Sequence, residues 1–241
     1  MFDNCRLAVA GGQGHFEESV NNRAGHQMTE TDYSFVRRHF IDPAPRWRDL
    51  RHPLPAVFLD RDGVVNEEVD YLSKVEDLAL IPGTAAAIAR LNDAGVPVII
   101  ITNQSGVARG MLSEDGLRDL HEALIGMLAT EDATLQGIYY SPYHPDGLDP
   151  YDIDSPCRKP GPAMLHAAAQ EFAINLQDSI FIGDKISDLE AARNAGAHGV
   201  MVRTGHGAVE ANLPGAAQAR FVADDLAAAV DRLFADGFIQ A

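Results

Sequence analysis

Charged and hydroxyl-bearing residues follow four apolar runs of this sequence. The four segments are 60–63 (DRDG), 102–105 (TNQS), 158–159 (RK) and 183–188 (GDKISD). Each of the first, second and fourth segments directly follows a run of strand length, and the third follows a run and a long loop. Together they supply four carboxylates, two lysines, two arginines and a Thr-Asn pair.

These residue types suit the transfer of a phosphoryl group. Closely spaced carboxylates repel one another and need a cation, and oxygen ligands select a hard cation such as Mg²⁺. Asp184 can complete a coordination that begins at 60–63, and Asp188 can support it. One carboxylate of 60–63 can attack phosphorus while the other transfers a proton. Lys159 and the Thr102 hydroxyl then offset the negative charge of the phosphoryl group.

Alternating apolar runs and helical segments must position these groups. The sequence predicts strands at 56–59, 96–101, 138–140, 179–182 and 199–202. Helices are predicted at 84–94, after Ser113, after Pro162, at 187–195 and at 225–234. This order predicts an α/β fold with a mostly parallel sheet and helices on both faces. Ligands of such sheets bind beyond the carboxyl ends of the strands, where the four segments lie.

The first 52 residues lack this periodicity. We expect two parts: an N-terminal extension, 1–52, partly disordered or packed on the core, and a phosphatase domain, 53–241. Within the extension, a short helix is predicted over 33–40, with Trp47 packed against the domain.

Composition limits the class of partner. The chain has 241 residues, with 35 acidic and 19 basic side chains and a net charge of −16. This acidity disfavours nucleic acid or an anionic membrane as a partner, because both require a basic face. No apolar stretch approaches the roughly 18 residues of a membrane span. The acidity still allows a small phosphorylated metabolite as the partner, because such a ligand needs only a local cluster of positive groups. The two cysteines, Cys5 and Cys157, do not form a disulfide framework, so we expect a cytoplasmic protein.

The four segments resemble those of the haloacid dehalogenase (HAD) superfamily of phosphohydrolases. The run 102–110 (TNQSGVARG) narrows the likeness to the D-glycero-D-manno-heptose-1,7-bisphosphate 7-phosphatases and the related histidinol-phosphatases. The resemblance covers residues 54–206. It implies a Rossmann-like HAD fold, a monomer, and Mg²⁺-dependent hydrolysis of phosphomonoesters through an aspartyl-phosphate.

The resemblance also implies a role for each matching residue. Asp60 would be the nucleophile and Asp62 the general acid/base, and Thr102 and Lys159 would steady the phosphoryl group. The implied Mg²⁺ ligands are Asp60, Asp184 and, through its backbone carbonyl, Asp62, with Asp188 supporting them. The implied substrate contacts are Asn103, Gln104, Ser105, Arg158, Lys185 and Tyr71.

One loop departs from the family pattern. The family carries Cys-x-His and later Cys-x-Cys as zinc ligands, whereas the matching positions here are 141–143 (SPY) and 155–157 (SPC). A single thiolate cannot hold structural zinc. We therefore expect no zinc, and a loop held by prolines and aromatic packing. Because this loop helps to shape the substrate mouth, the departure leaves the exact substrate open.

Spacing along the chain bears on access to the site. Asp62 and Asn103 are 41 positions apart, and Asn103 and Arg158 are 55 apart. The predicted helices, strands and loops account for the residues in both intervals. Too few residues remain for a large cap domain, so none is expected. The site should be open and gated by loops alone.

Several functions remain compatible with the motifs. We expect hydrolysis of a heptose bisphosphate, with histidinol phosphate or another small sugar phosphate as the alternative that the motifs do not separate. The net charge disfavours a nucleic-acid 3′-end phosphatase. The presence of Asp60, Asp62, Lys159 and Asp184 argues against an inactive binding module.

Overall fold

A seven-stranded sheet runs through the part of the chain that the computed structural model describes, which comprises residues 33, 36–40 and 53–240. The strands are β1 (Arg37–Phe40), β2 (Val57–Leu59), β3 (Val98–Asn103), β4 (Gly137–Ser141), β5 (Ile180–Gly183), β6 (His198–Val202) and β7 (Val222–Ala223). Their spatial order is β1-β4-β3-β2-β5-β6-β7. Every neighbouring pair is parallel except β1 and β4, which are antiparallel.

Helices connect the strands. They are α1 (Thr84–Asp93), α2 (Ser105–Ala108), α3 (Glu114–Ala129), α4 (Ala163–Phe172), α5 (Ile186–Ala195), α6 (Gly207–Glu210) and α7 (Leu226–Ala235). Short 3-10 turns lie at Val75–Asp77, Leu176–Asp178 and Pro214–Gln218. The predicted α/β fold is therefore confirmed. Neither the β2–β3 connection nor the β3–α4 connection contains a cap domain.

The strand order reverses at β2, and this reversal places the site. Leu59 of β2 is in register with Ile100 of β3 on one side and with Ile182 of β5 on the other. Helices that follow strands on opposite sides of such a point leave a crevice between their first turns. The segments that follow β2, β3 and β5 therefore meet at one place on the rim.

Two apolar layers hold the sheet, one on each face. Successive residues of β3 point to opposite faces, so Ile100 packs in one layer with α1, α3 and α7, whereas Ile99 and Ile101 pack in the other with α4 and α5. All three isoleucines are fully buried. Burial on both faces explains why the central strands are continuous apolar runs rather than alternating ones.

Capping residues mark where three helices begin or end, close to the positions that the sequence predicted. The Ser113 Oγ accepts a hydrogen bond from the Gly116 N–H at 3.0 Å and caps α3. Asp225 caps α7 by accepting from the Ala228 N–H at 2.8 Å. Gly196, with φ of +81°, closes α5 in the left-handed conformation.

The predicted helix over 33–40 is wrong, because residues 37–40 form the edge strand β1. Arg37 pairs with Tyr140 and His39 pairs with Ile138 of β4. The edge of β4 presents backbone donors and acceptors that a strand satisfies and a helix cannot. Such long-range pairing has no counterpart in local periodicity. Trp47 lies outside the described residues, and the division into 1–52 and 53–241 stays a prediction.

No helix in the described ranges combines the length and the apolar composition that crossing a membrane requires.

Candidate active site

A cavity of about 440 Å³ opens at the carboxyl ends of β2 and β3. The predicted site residues that line it are Asp60, Asp62, Tyr71, Thr102, Asn103, Gln104, Ser105, Arg158, Lys159 and Lys185. Asp184 and Asp188 are buried beside Asp60, within reach of the same point. The fold thus brings together the residues that the sequence predicted for the site.

Three buried carboxylates, those of Asp60, Asp184 and Asp188, form the floor of the site. Each offers an oxygen within 4.8 Å of the others, and Asp184 Oδ1 has no hydrogen-bond partner among the described residues. Burial, with the nearby charges of Asp60 and Asp188, raises the pKa of Asp184 to about 8. Burial also raises the pKa of Asp60. Since these anions are unfavourable together, the donor set fits a hard divalent cation.

Lys159 supplies a positive charge to this floor. Its Nζ lies 2.8 Å from Asp60 Oδ1 and 2.7 Å from Asp188 Oδ1, and donates to the Ile101 carbonyl at 2.9 Å. Burial acts to lower the pKa of Lys159, but the two carboxylates outweigh it and raise the pKa, so the ammonium stays charged.

The Asn103 side chain holds the backbone of Lys159. Asn103 Nδ2 donates to the Lys159 carbonyl at 3.1 Å, and the Lys159 N–H donates to Asn103 Oδ1 at 3.0 Å. The end of β3 thereby fixes the position of a residue 56 places further along the chain. This pairing uses one of the two hydrogens of Asn103 Nδ2.

Gly63 allows the chain to turn beneath the carboxylates. Its φ is +81°, and a Cβ there would lie 2.3 Å from Asp184 Oδ2. Only glycine combines that backbone conformation with that approach.

Asp62 is held by a separate network of donors. The Arg61 Nη2 donates to both Asp62 oxygens at 2.9 Å, and the Gln104 Nε2 and Asn66 Nδ2 donate at 2.8 and 3.0 Å. Burial acts to raise the pKa of Asp62, but the Arg61 charge and these hydrogen bonds outweigh it and lower the pKa. The carboxylate of Asp62 is thus satisfied by donors, unlike those of the floor.

Gln104 also connects Asp62 to Thr102. Its Nε2 donates to Thr102 Oγ1 at 2.9 Å, and its Oε1 accepts from Arg61 at 3.2 Å. Both Thr102 and Gln104 are buried at the end of β3. The TNQ sequence therefore places a hydroxyl and an amide directly against the second aspartate of DRDG.

Two guanidinium groups stand near the mouth of the cavity. Burial, together with the charge of Arg109, lowers the pKa of Arg158. Arg109 lies with its Cζ 5.9 Å from the centre of the Tyr71 ring, and its Nη2 is 3.3 Å from His144 Nε2. Within the described ranges, neither arginine has a carboxylate at salt-bridge distance. The mouth therefore offers uncompensated positive charge.

Lys185 also lines the cavity, and it is paired there. Its Nζ lies 3.3 Å from Glu68 Oε2, which is also 3.3 Å from His206 Nε2. The backbone N–H of His206 donates to Asp184 Oδ2 at 2.8 Å. This contact ties the loop after β6 to the carboxylate floor.

Sequence reasoning assigned no role to Arg61 or His206, although both line the cavity. Arg61 lies between the two aspartates of DRDG, and that position is a signal that could have identified it. His206 follows β6 by four residues, so the strand-end argument that found the other segments applied to it as well.

The positions that match the family's zinc ligands lie together. Ser155 Oγ is 2.8 Å from Cys157 Sγ, which donates to Ser141 Oγ at 3.8 Å. All three residues are buried, and burial raises the pKa of the Cys157 thiol. Tyr143 packs against the apolar cluster that contains Cys157. Hydroxyl and thiol groups therefore meet at positions where the resemblance implied zinc ligands.

Comparison with known proteins is consistent with this geometry. A HAD-hydrolase-like family model matches residues 156–229. The D-glycero-D-manno-heptose-1,7-bisphosphate 7-phosphatase of Thermosynechococcus vestitus is 45% identical over 186 residues, which cover 74% of this chain and 95% of that protein. The D-glycero-beta-D-manno-heptose-1,7-bisphosphate 7-phosphatase of Rhodopseudomonas palustris is 48% identical over 146 residues, covering 60% of this chain and 81% of that protein.

A solved structure shares the fold. The D,D-heptose 1,7-bisphosphate phosphatase of B. bronchiseptica, complexed with magnesium and phosphate, superposes with a TM-score of 0.68 at 34% identity. The match covers 76% of this chain and 99% of that one. This chain is thus a hydrolase of phosphoric monoesters and belongs to the D-glycero-D-manno-heptose-1,7-bisphosphate 7-phosphatase family of the HAD superfamily.

Proposed function

We propose that the chain removes the 7-phosphate of D-glycero-D-manno-heptose 1,7-bisphosphate in a Mg²⁺-dependent reaction, with Asp60 as the nucleophile. The observation that carries the proposal is the carboxylate floor, in which Asp60 lies in the cavity beside Asp184 and is paired with Lys159. The names of the related proteins support the substrate.

The chain's own residues would carry two steps. An Asp60 oxygen attacks phosphorus, and the bond to the sugar oxygen breaks with its electron pair on that oxygen, which takes a proton from Asp62. Because the pKa of Asp62 is lowered in the free site, Asp62 would take up this proton when the substrate binds, since the negative phosphate beside it favours the neutral acid. A water molecule then attacks the aspartyl-phosphate and gives a proton to Asp62, and the bond between phosphorus and Asp60 breaks. Inorganic phosphate leaves and the Asp60 carboxylate is restored.

The remaining site residues would hold the phosphoryl group. Asp60 and Asp184, with the backbone carbonyl of Asp62, would bind Mg²⁺, which neutralises charge on the phosphoryl oxygens when bound. Lys159 and the Thr102 hydroxyl would donate to those oxygens. Asp188, which pairs with Lys159, would keep that ammonium in place.

The uncompensated charge at the mouth favours a bisphosphate over histidinol phosphate. Arg109 and Arg158 repel each other, and a second phosphate would relieve this repulsion with charge-assisted hydrogen bonds. Histidinol phosphate instead carries an ammonium group, which these guanidinium groups would repel. Asn103, Gln104, Ser105, Lys185 and Tyr71 would contact the remaining substrate.

We also propose that the loop after β4 folds without zinc. Two hydroxyls and a thiol whose pKa is raised are poor zinc ligands. Elemental analysis of the purified protein, after dialysis against Mg²⁺ buffer, should find less than a tenth of a zinc per chain. One zinc per chain would refute the proposal.

We also propose that the protein is a cytoplasmic monomer and that its partner is a free metabolite. The net charge of −16 disfavours nucleic acid or a membrane as that partner. Light scattering should give the mass of one chain, 26.0 kDa. DNA with a 3′-phosphate should neither bind nor be hydrolysed.

The test is phosphate release from heptose 1,7-bisphosphate, histidinol phosphate and fructose 1,6-bisphosphate, each with Mg²⁺ and with EDTA. We expect the heptose bisphosphate to be preferred and EDTA to abolish release. Asp60→Asn should lose at least about 1,000-fold in kcat, whereas Asp77→Asn, at an exposed turn, should match the wild type. A preference for histidinol phosphate would overturn the substrate, and full activity of Asp60→Asn would overturn the nucleophile.

A further inference from the structure

We propose that His121 is a positioning residue that fixes Arg61 and, through Arg61, orients the carboxylate of Asp62. The inference deepens the proposed function, since it takes from it the role of Asp62 as proton donor to the leaving oxygen. His121 itself does not line the cavity.

A continuous chain of contacts links His121 to Asp62. His121 Nε2 lies 3.1 Å from Arg61 Nη1, and the opposite edge of the same guanidinium grips Asp62 with Nε and Nη2. Arg61 and His121 are each only 1% exposed. A planar guanidinium held at both edges cannot turn, so the imidazole fixes the plane in which Asp62 is bound.

The protonation state of His121 follows from its partners. Arg61 can only donate, so Nε2 of His121 accepts and the proton of the neutral ring lies on Nδ1. That Nδ1 is 2.8 Å from Nδ1 of His39, which therefore accepts. Burial, with the charges of Arg61 and His39, lowers the pKa of His121 well below 6.5. The ring is thus a neutral acceptor at the pH of the cytoplasm.

The surroundings of the two histidines favour this arrangement. The Tyr140 ring packs against both, with ring centres at 5.1 Å from His39 and 5.8 Å from His121. The charged groups around His39 are Arg118, Glu114 and Glu122 of α3, and burial is the main cause that lowers its pKa. No carboxylate within the described ranges contacts His121, so nothing there stabilises an imidazolium beside Arg61.

This chain of contacts connects the edge strand to the site. His39 belongs to β1, His121 to α3 and Arg61 to the turn after β2. β1 lies outside residues 54–206, over which the motifs resemble the family. Polar contacts therefore connect His39, at the edge of the sheet, to Asp62 in the site through His121 and Arg61.

The experiment separates positioning of the acid from general damage. Values of kcat/KM are measured for heptose 1,7-bisphosphate, whose sugar oxygen needs a proton to leave, and for 4-nitrophenyl phosphate, whose leaving group does not. The variants are His121→Leu, which removes the acceptor, and His121→Gln, which restores one. His198→Leu, at the far end of β6, is the matched control.

The wild type must first hydrolyse the heptose bisphosphate, since failure there refutes the proposed function rather than this inference. For His121→Leu we expect a loss of about 10- to 100-fold on the heptose bisphosphate and less than about threefold on 4-nitrophenyl phosphate. His121→Gln should recover most of the loss, and His198→Leu should match the wild type.

An equal loss on both substrates, or no loss on either, would overturn the proposal. If His121→Leu does not fold, His121→Asn replaces it, because its shorter polar side chain cannot reach Arg61. It should show the same selective loss, and equal activity of the Asn and Gln variants would overturn the proposal.

Discussion

Two parts of the rim are built from different kinds of group. Between β2 and β5, Asp60, Asp184 and Lys159 are buried charges held against one another. After β4, Ser141, Ser155 and Cys157 are buried neutral groups joined by weak hydrogen bonds. Removing one member of a charged set leaves the others uncompensated, whereas a neutral set tolerates exchange. We therefore expect changes in the neutral set to leave the carboxylate floor intact, and changes in the charged set to disrupt it.

The largest effect should follow a change in the charged part. Lys159→Met leaves Asp60 and Asp188 buried without their shared cation, so we expect kcat to fall about 100- to 1,000-fold. The free energy of unfolding should fall by about 3–5 kcal/mol for the same reason. Phosphate release and urea denaturation measure the two effects. Lys74→Met, at an exposed position, is the control. If Lys159→Met kept half of the normal activity, the charged set would not be more sensitive to exchange than the neutral set.

A smaller loss of activity is expected from a change at the mouth of the cavity. Arg109→Ala should raise KM for the heptose bisphosphate about tenfold, because a charge-assisted contact to the second phosphate is lost. KM for 4-nitrophenyl phosphate, which has one phosphate, should change less than about twofold. Steady-state kinetics of both substrates, with Arg193→Ala as the exposed control, check this. Equal rises in KM would refute a second-phosphate site.

The buried histidine predicts a pH dependence of stability. Because the pKa of His121 in the folded protein is lowered below 6.5, the unfolded chain takes up a proton that the folded one excludes. As the pH falls from 7 to 5, the free energy of unfolding of the wild type should therefore decrease by up to about 2 kcal/mol more than that of His121→Gln. Above pH 7 the difference between the two proteins should stay constant. Urea midpoints across this range measure it. Parallel curves for the two proteins would show that His121 is not neutral in the fold.

The smallest effect belongs to the neutral part. Cys157→Ser keeps a buried hydrogen-bonding group beside Ser155 and Ser141, so the free energy of unfolding should change by less than about 1 kcal/mol. Activity should stay within about twofold of the wild type. Denaturation and phosphate release check both. A tenfold loss of activity would mean that this cluster does more than support the loop.

Short-range patterns explain why most of the fold could be predicted. The apolar runs that became β2, β3 and β5 are buried on both faces, and Ser113, Gly196 and Asp225 mark helix ends through contacts within a few residues. The strand β1 could not be found in this way, since its pairing with β4 joins residues about 100 positions apart. The residues predicted for the site meet in the fold, while their individual roles stay predictions.

The sequence by itself determined the α/β order, the four strand-end segments and the residue types of the site. These follow from periodicity and from spacing, which act over a few residues. Only the tertiary structure decided that Asn103 grips the backbone of Lys159, that His206 reaches Asp184, and that His39 and His121 stand behind Arg61. Such contacts join residues that are distant along the chain, and they depend on which strands lie side by side.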